Sequence, residues 1–266
     1  MKLSFIIIEY YSLDDIAICY SSIRGRSQYH EIELIVSSNS MYSLDKQEEL
    51  RAEHPDILWV FNERNGGFAY GMNRGLAIAS GDYLIITNPD VKLLTNIDGA
   101  ISYLESCPEV GAVGPQILDP NGIIQDSTRE FMLPWNFIKR QMKRLWHSAD
   151  IIYDEKKDYN AIQTCDWVIG AFIIFPRVVY QTTCGLDEKF FLYVEDMDFC
   201  FRIQLMGKKV VYYPLMKIQY KGDRKSTKSL IHSLSTFNKY SLFHILSYLR
   251  FLWKYYCKVN FKEKRH

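Results

Sequence analysis

The first 120 residues alternate short apolar runs, rich in β-branched side chains, with amphipathic stretches, and this alternation limits the possible folds most. "LSFIII" (3–8), "ELIVS" (33–37), "ILWVF" (57–61) and "DYLIIT" (82–87) predict strands. "LDDIAICYSSI" (13–23), "SLDKQEELRAEH" (43–54) and "FAYGMNRGLAIAS" (68–80) predict the helices between them. Short β-branched apolar runs separated by amphipathic stretches are the pattern of βαβ units, so the expected class is α/β with a mostly parallel central sheet flanked by helices. Asp45 and Glu48 have capping-box spacing for the second helix, and Gly81 is placed to end the third. Beyond residue 110 the alternation loosens. "VGAVGPQILDPNG" predicts a strand and a turn, "PWNFIKRQMKRLW" (134–146) a basic amphipathic helix, and "DWVIGAFIIFP" (166–176) a buried strand. A helix should run from about Glu195 to Met206, followed by two strands, "KKVVYYP" and "MKIQY".

Charge divides the chain into two regions. Residues 221–266 carry 11 Lys/Arg against 2 Asp/Glu, a net of +9, which leaves −8 for residues 1–220. The expected organisation is therefore one domain over 1–220 with a basic, aromatic helical extension over 221–266. Arg250 and Lys254 interrupt any apolar run of the ~20 residues that a spanning helix needs. The tail can lie on an anionic membrane surface, with basic residues at the headgroups and aromatics at the interface, or it can pack on the domain. With 48% hydrophobic and 24% charged residues, the rest has ordinary globular composition, which disfavours disordered classes. Six cysteines without any C-x-x-C pair, and a start lacking a long apolar signal segment, lead to the expectation of reduced thiols in a cytoplasmic protein. No nucleic-acid partner is expected, and the oligomeric state is not legible.

In open α/β sheets ligands sit beyond the carboxyl ends of the strands, so the residues after each run are the ones to question. They are Glu9-Tyr10-Tyr11, Ser37-Ser38-Asn39, Asn62 to Asn65 and Asn88-Pro89-Asp90, all polar, as a nucleotide or an ordinary loop would have them. Asp90 at a strand end can hold a hard cation such as Mg²⁺ or Mn²⁺ together with phosphate oxygens; alternatively Asn-Pro-Asp is turn chemistry. "YVEDMDFCFR" (193–202) crowds Glu195, Asp196 and Asp198 among aromatics behind the strand-like run "KFFLYV". In a helix's first turn the macrodipole favours these acids, and Asp198 can pair with Arg202 four residues on. Glu195 and Asp196 remain as candidates for acid–base work, since a dry wall and a neighbouring charge lift a carboxyl toward working pH. Gly66, Gly67 and Gly71 can admit a phosphate near a helix start, but the spacing is neither G-x-G-x-x-G nor a Walker loop. Histidine pairs with metal spacing and a G-x-S-x-G elbow are both missing, which removes zinc sites and the common serine hydrolases.

Four blocks in this order resemble glycosyltransferase family 2, inverting enzymes of the GT-A fold, and in particular the rhamnosyltransferase-like branch of bacterial polysaccharide synthesis. They are "SFIIIEYYS", "NERNGGFAYGMNRGLAIASGDYLIITNPDV" (62–91), "DPNGIIQDSTREF" (119–131) and "VIGAFIIFPRVVYQTTCGLDEKFFLYVEDMDFCFRIQLMGKKVVYYP" (168–214). The resemblance implies a Rossmann-like sheet, a nucleoside-diphosphate-sugar donor and a saccharide or lipid-linked acceptor. It places Asp90 as metal ligand, Asn88 beside it, Asp196 as general base and Glu195 as its neighbour. Trp167, Gly170 and Ala171 fall at the acceptor, and Glu9, Ser37, Asn65, Gly67 and Asn73 around the nucleotide. Where relatives commonly have V-N-Y-N this chain has Ile8-Glu9-Tyr10-Tyr11, and Ser37-Ser38 stand for Asp-Asn. Tyr220 and Lys221 stand where a metal-binding His is frequent, so Lys221, Arg224 or Lys225 could clamp the diphosphate instead. The expected protein is an inverting glycosyltransferase peripheral to the inner face of the cell membrane. The alternatives are a catalytically weak nucleotide-sugar-binding subunit and a sugar-phosphate nucleotidylyltransferase, the latter disfavoured because no Gly-rich basic loop follows the first strand.

Overall fold

A computed structural model describes residues 1–27, 31–131, 158–222 and 239–257. The alternating runs become β1 (Lys2–Glu9), α1 (Leu13–Ile23), β2 (Glu31–Ser38), α2 (Leu44–Glu53), β3 (Ile57–Phe61), α3 (Phe68–Ile78) and β4 (Tyr83–Thr87). The four strands pair in parallel in the order β3-β2-β1-β4, with Phe5 opposite both Leu34 and Ile85. Strands covered on both faces read as continuous apolar runs, and β1 and β4 are buried almost throughout. Leu3, Phe5 and Ile7 enter the core beneath α1, while Ile6 and Ile8 alternate into the core beneath α3.

The chain continues as β5 (Val91–Leu93), α4 (Asp98–Ser106), β6 (Val110–Leu118), β7 (Ile124–Gln125), β8 (Thr128–Arg129), β9 (Gln163–Cys165), β10 (Trp167–Val168) and β11 (Phe172–Pro176). Then come α5 (Arg177–Thr183), α6 (Glu195–Leu205), β12 (Lys209–Tyr220) and α7 (Lys239–Leu252), whose end continues as a π-helical turn, Trp253–Cys257. The sheet extends past β4 through β11, β6, β12 and β5; β11 runs antiparallel to β4, and β12 parallel to β6. Because β2 lies on one side of β1 and β4 on the other, the topological switch falls between β1 and β4. In open α/β sheets ligands bind beyond the strands' carboxyl ends at such a point.

Several sequence expectations change. Ser43, not Asp45, caps α2, its Oγ accepting from the Lys46 N–H at 3.4 Å. Gly81 does not end α3, which stops at Ile78; a Cβ on Gly81 would lie 2.6 Å from the Ser4 nitrogen, so this glycine lets the chain cross β1 closely. Residues 166–176 break into β10 and β11 at Gly170-Ala171, and the last two expected strands are one, β12, with a register shift between Tyr213 and Lys217. "KFFLYV" is no strand: Tyr193 and Val194 have φ of +69° and +73°. The helix expected over 134–146 lies outside the described residues.

Of the two fates open to the tail, packing on the domain is observed for α7. Its Tyr248 and Phe251 are buried with Phe190, Val194 and Met197 in a third apolar cluster. Its outer face leaves Leu242, Leu246, Leu249 and Trp253 more than half exposed.

Candidate active site

The site begins where β4 runs out. Asn88 donates its backbone N–H to the Ala171 carbonyl at 3.0 Å, and its side-chain amide donates to the Tyr220 hydroxyl at 3.0 Å. Tyr220 pairs with Val91 across β12 and β5, so it stands beside the Asn88-Pro89-Asp90 corner. Asp90 is half-buried there. One carboxylate with amide and phenol oxygens nearby is a hard, all-oxygen donor set. It suits a Mg²⁺ or Mn²⁺ ion that takes its remaining ligands from phosphates and water. Among the described residues no cluster of three or more His, Cys, Asp or Glu offers a fuller cage.

Ala171 leads directly to the second half of the site. Its neighbour Gly170 donates its N–H to Asp196 Oδ2 at 2.8 Å, and the Met197 N–H donates to Asp196 Oδ1 at 2.8 Å. A Cβ on Gly170 would meet the Asp196 Cβ at 3.1 Å, so the small residue is what allows this backbone approach. The dipeptide Gly170-Ala171 thus ties the corner after β4 to the first turn of α6. Burial pushes the Asp196 carboxyl upward, against the pull of the two N–H groups and the Arg129 guanidinium. Glu195, 6% exposed, is pushed well above the ordinary range, first by burial and then by the Asp196 charge. Its Oε2 has no hydrogen-bond partner among the described residues. Asp198 pairs with Arg202 at 2.8 Å as the spacing predicts, and it also accepts from Lys254 and Tyr255 of the tail.

The remaining candidates divide. Trp167, on β10, donates its indole N–H to the Glu130 carbonyl at 3.2 Å and lies under the Arg129 guanidinium at 5.6 Å, next to the Asp196 turn. Glu9 is fully buried, and its carboxylate is already engaged by the Ser12 N–H and the hydroxyls of Ser38, Ser40 and Tyr42. Ser37 is buried and accepts from Asn62, which also donates to Asn39. Asn65 Oδ1 receives the Gly67 N–H at 3.0 Å. The close approach that Gly67 permits is to the chain's own backbone: Phe191 O would lie 2.1 Å from a Cβ there and accepts the Phe68 N–H. Asn73 exchanges hydrogen bonds with both backbone groups of Leu186 and donates to Glu188, tying α3 to the segment after α5.

Sequence reasoning passed over Arg129, although it stands inside the "DSTREF" block, because only the β8–β10 pairing brings it to Asp196. It singled out Asn39 and Asn62 as strand-end residues but not the polar network that joins them, which needs β2 and β3 side by side.

The chain matches the model of the family described as Glycosyl transferase family 2 over residues 4–165. It is similar to the N-acetylglucosaminyl-diphospho-decaprenol L-rhamnosyltransferase of Mycobacterium tuberculosis, at 25% identity over 186 residues, 62% of this chain and 59% of that protein. It is also similar to the rhamnosyltransferase WbbL of Escherichia coli, at 25% identity over 202 residues, 70% of this chain and 71% of that protein. The chain thus spans little more than half the length of the first of these relatives. Among solved structures, GalNAc-T7 with UDP, GalNAc and Mn²⁺ superposes with a TM-score of 0.60 at 14% identity, over 83% of this chain and 44% of that one. That likeness is one of fold, and the fold is the GT-A fold. With more than half its residues inside the family's pattern, the chain belongs to glycosyl transferase family 2.

Proposed function

We propose that the protein is an inverting glycosyltransferase that moves a sugar, rhamnose in the first instance, from a nucleoside diphosphate to a saccharide or lipid-linked saccharide acceptor in cell-surface polysaccharide synthesis. The observation that supports this reading is the Gly170-Ala171 bridge, which joins the Asn88–Asp90 corner to the Asp196 turn through two adjacent residues. The names of the relatives support the sugar and the acceptor class.

In this mechanism the donor diphosphate lies at the corner after β4. Asp90, with Asn88 and Tyr220 around it, would hold a divalent ion, whose chemistry there would be to offset negative charge on the diphosphate. The acceptor lies on the Trp167 side, its hydroxyl pointing at Asp196. Asp196 takes the hydroxyl proton as that oxygen bonds to the anomeric carbon from the face opposite the leaving group. The carbon–oxygen bond to phosphate breaks, and its electron pair leaves with the nucleoside diphosphate. A carboxyl lifted by burial keeps the proton it gains, which is what a base near neutral pH must do. Glu195, whose carboxyl is lifted by burial, stands beside it to position the acceptor or tune that base. Lys221, exposed past the end of β12, is a fixed cation for the diphosphate; Arg224 and Lys225 lie outside the described residues.

The site of action is proposed to be an anionic membrane surface at the inner face of the cell membrane. Residues 239–266 carry seven Lys/Arg against one Glu, and the outer stripe of α7 is apolar. No described helix is long and apolar enough to cross a membrane.

Asp196→Asn tests the reaction. Transfer should fall by roughly 10²–10⁴-fold, the usual worth of a general base, while titration calorimetry with UDP, dTDP and GDP in Mn²⁺ gives unchanged affinity. Unchanged transfer in the folded, donor-saturated variant would remove Asp196 from the mechanism. Nucleotide-sugar binding by wild type without turnover on any acceptor would favour the partner-subunit reading.

A further inference from the structure

We propose that the last described helix is a working part of the active site: Lys254 and Tyr255 clamp the 187–194 loop and the first turn of α6, and so position Asp196. The inference rests on Asp196 being the base, and its physical basis is the way the tail meets that loop.

Asp198 sits two residues beyond Asp196, in the same helical turn, with its side chain fully buried. A buried carboxylate must be compensated where it lies. Arg202 supplies one partner from α6 itself; the other two come from the tail, Lys254 Nζ at 2.6 Å and the Tyr255 hydroxyl at 2.8 Å, both on Oδ1. Lys254 also reaches Asp187 Oδ2 at 2.7 Å. One ammonium group therefore joins the residue that opens the loop to the helix turn that follows it.

Between those two anchors the tail grips the loop along its length. Arg250 donates to the Lys189 carbonyl, and Ser247 donates to the Leu192 carbonyl at 3.0 Å. Phe243 meets Phe191 at 5.0 Å between ring centroids, and His244 meets Tyr193 at 5.2 Å. Tyr255 and Phe251 close on Phe201 one turn further along α6. The loop needs such support. Tyr193 and Val194 both have left-handed backbone, a conformation that persists in bulky residues only when the surroundings impose it. Val194 is also the N-cap of α6 and offers no side-chain cap to the helix that starts at Glu195. The entry to the catalytic turn is therefore set from outside, by α7 and the π-helical turn.

The charge arrangement acts in the same direction. Asp196 has Glu195 beside it on its own helix and the Arg129 guanidinium from β8, and Asp198 acts on Glu195. With Lys254 and Arg202 on Asp198, the third acid of the turn is compensated where it lies.

The test compares wild type with Lys254→Met, Lys254→Arg and Tyr255→Phe by three measurements. Amide hydrogen exchange reports on 187–200, calorimetry on binding of UDP, dTDP and GDP in Mn²⁺, and steady-state kinetics on dTDP-L-rhamnose with an N-acetylglucosaminyl-diphospho-polyprenol. Lys254→Met should speed exchange in 187–200 while nucleotide affinity is retained. Its kcat should fall by about 10²-fold, as for a reacting group displaced by an ångström. Tyr255→Phe should shift the same readouts less, and Lys254→Arg should restore most of kcat. The clamp is overturned if exchange over 187–200 is unchanged in both Lys254→Met and Tyr255→Phe. It is equally overturned if exchange rises but kcat stays at the wild-type value. Should wild type itself show no turnover, the proposed reaction fails, and the exchange measurement still decides the clamp.

Discussion

Glu195 and Asp196 are adjacent acids that the fold treats differently. Asp196 is half-buried and holds two backbone N–H donors, while Glu195 is enclosed, with one oxygen lacking a partner among the described residues. Both are lifted by burial, Glu195 further. The sign of the consequence follows from proton counting. Between the unfolded value near 4.5 and the raised folded value, the native state of Glu195 binds more protons than the unfolded chain, so stability falls as pH rises through that window. Glu195→Gln removes the penalty. Melting curves from pH 4 to 8 should show little difference from wild type at the acid end and an increasingly more stable variant toward pH 8. A gap that stays constant with pH would mean that Glu195 is ionised in the fold.

Elements meet here through backbone as much as through side chains. The start of α3 is fixed by Phe191, whose carbonyl accepts the Phe68 N–H at 2.9 Å and fills the space beside Gly67. Gly67 has φ +90°, so Gly67→Ala meets both backbone strain and a collision with a main-chain oxygen. It should destabilise the protein by about 3 kcal/mol or more and lower Tm by roughly 5–10 °C, measured by calorimetric scanning. Since Phe191 belongs to the loop that enters α6, transfer should fall as well. Were the Phe191 oxygen no obstacle, only the backbone strain would remain, a loss of about 1 kcal/mol. The β10–β11 break works likewise: a run that reads as one strand yields at Gly170-Ala171, so that one N–H turns to Asp196 and one carbonyl to Asn88.

At the scale of the molecule, α7 has two apolar faces and one is already taken. Tyr248 and Phe251 pack inward, leaving Leu242, Leu246, Leu249 and Trp253 outward in a tail with a large excess of positive charge. A lipid surface accommodates both properties, and a self-associating pair would bring like charges together. Replacing Leu246, Leu249 and Trp253 together with Ser should reduce co-sedimentation with phosphatidylglycerol vesicles at least about tenfold, since each buried apolar side chain contributes on the order of 1.5–3 kcal/mol. Binding of wild type should weaken with salt and be slight on phosphatidylcholine. Equal binding to both lipids would point away from an anionic surface. The sequence alone determined the βαβ order, the strand-end positions of Asn88–Asp90, the start of α6 and the Asp198–Arg202 pair. Those depend on local periodicity, helix-end chemistry and i,i+4 spacing, which act within a few residues. Only the tertiary structure decided that Glu9 is spent on internal donors, that Gly67 serves Phe191, that Arg129 faces Asp196 and that the tail closes on Asp198. Apart from the Ser12 N–H on Glu9, the partner in each of these lies far along the chain, from about 30 residues to more than 120, and only strand pairing and helix docking set the distance between them.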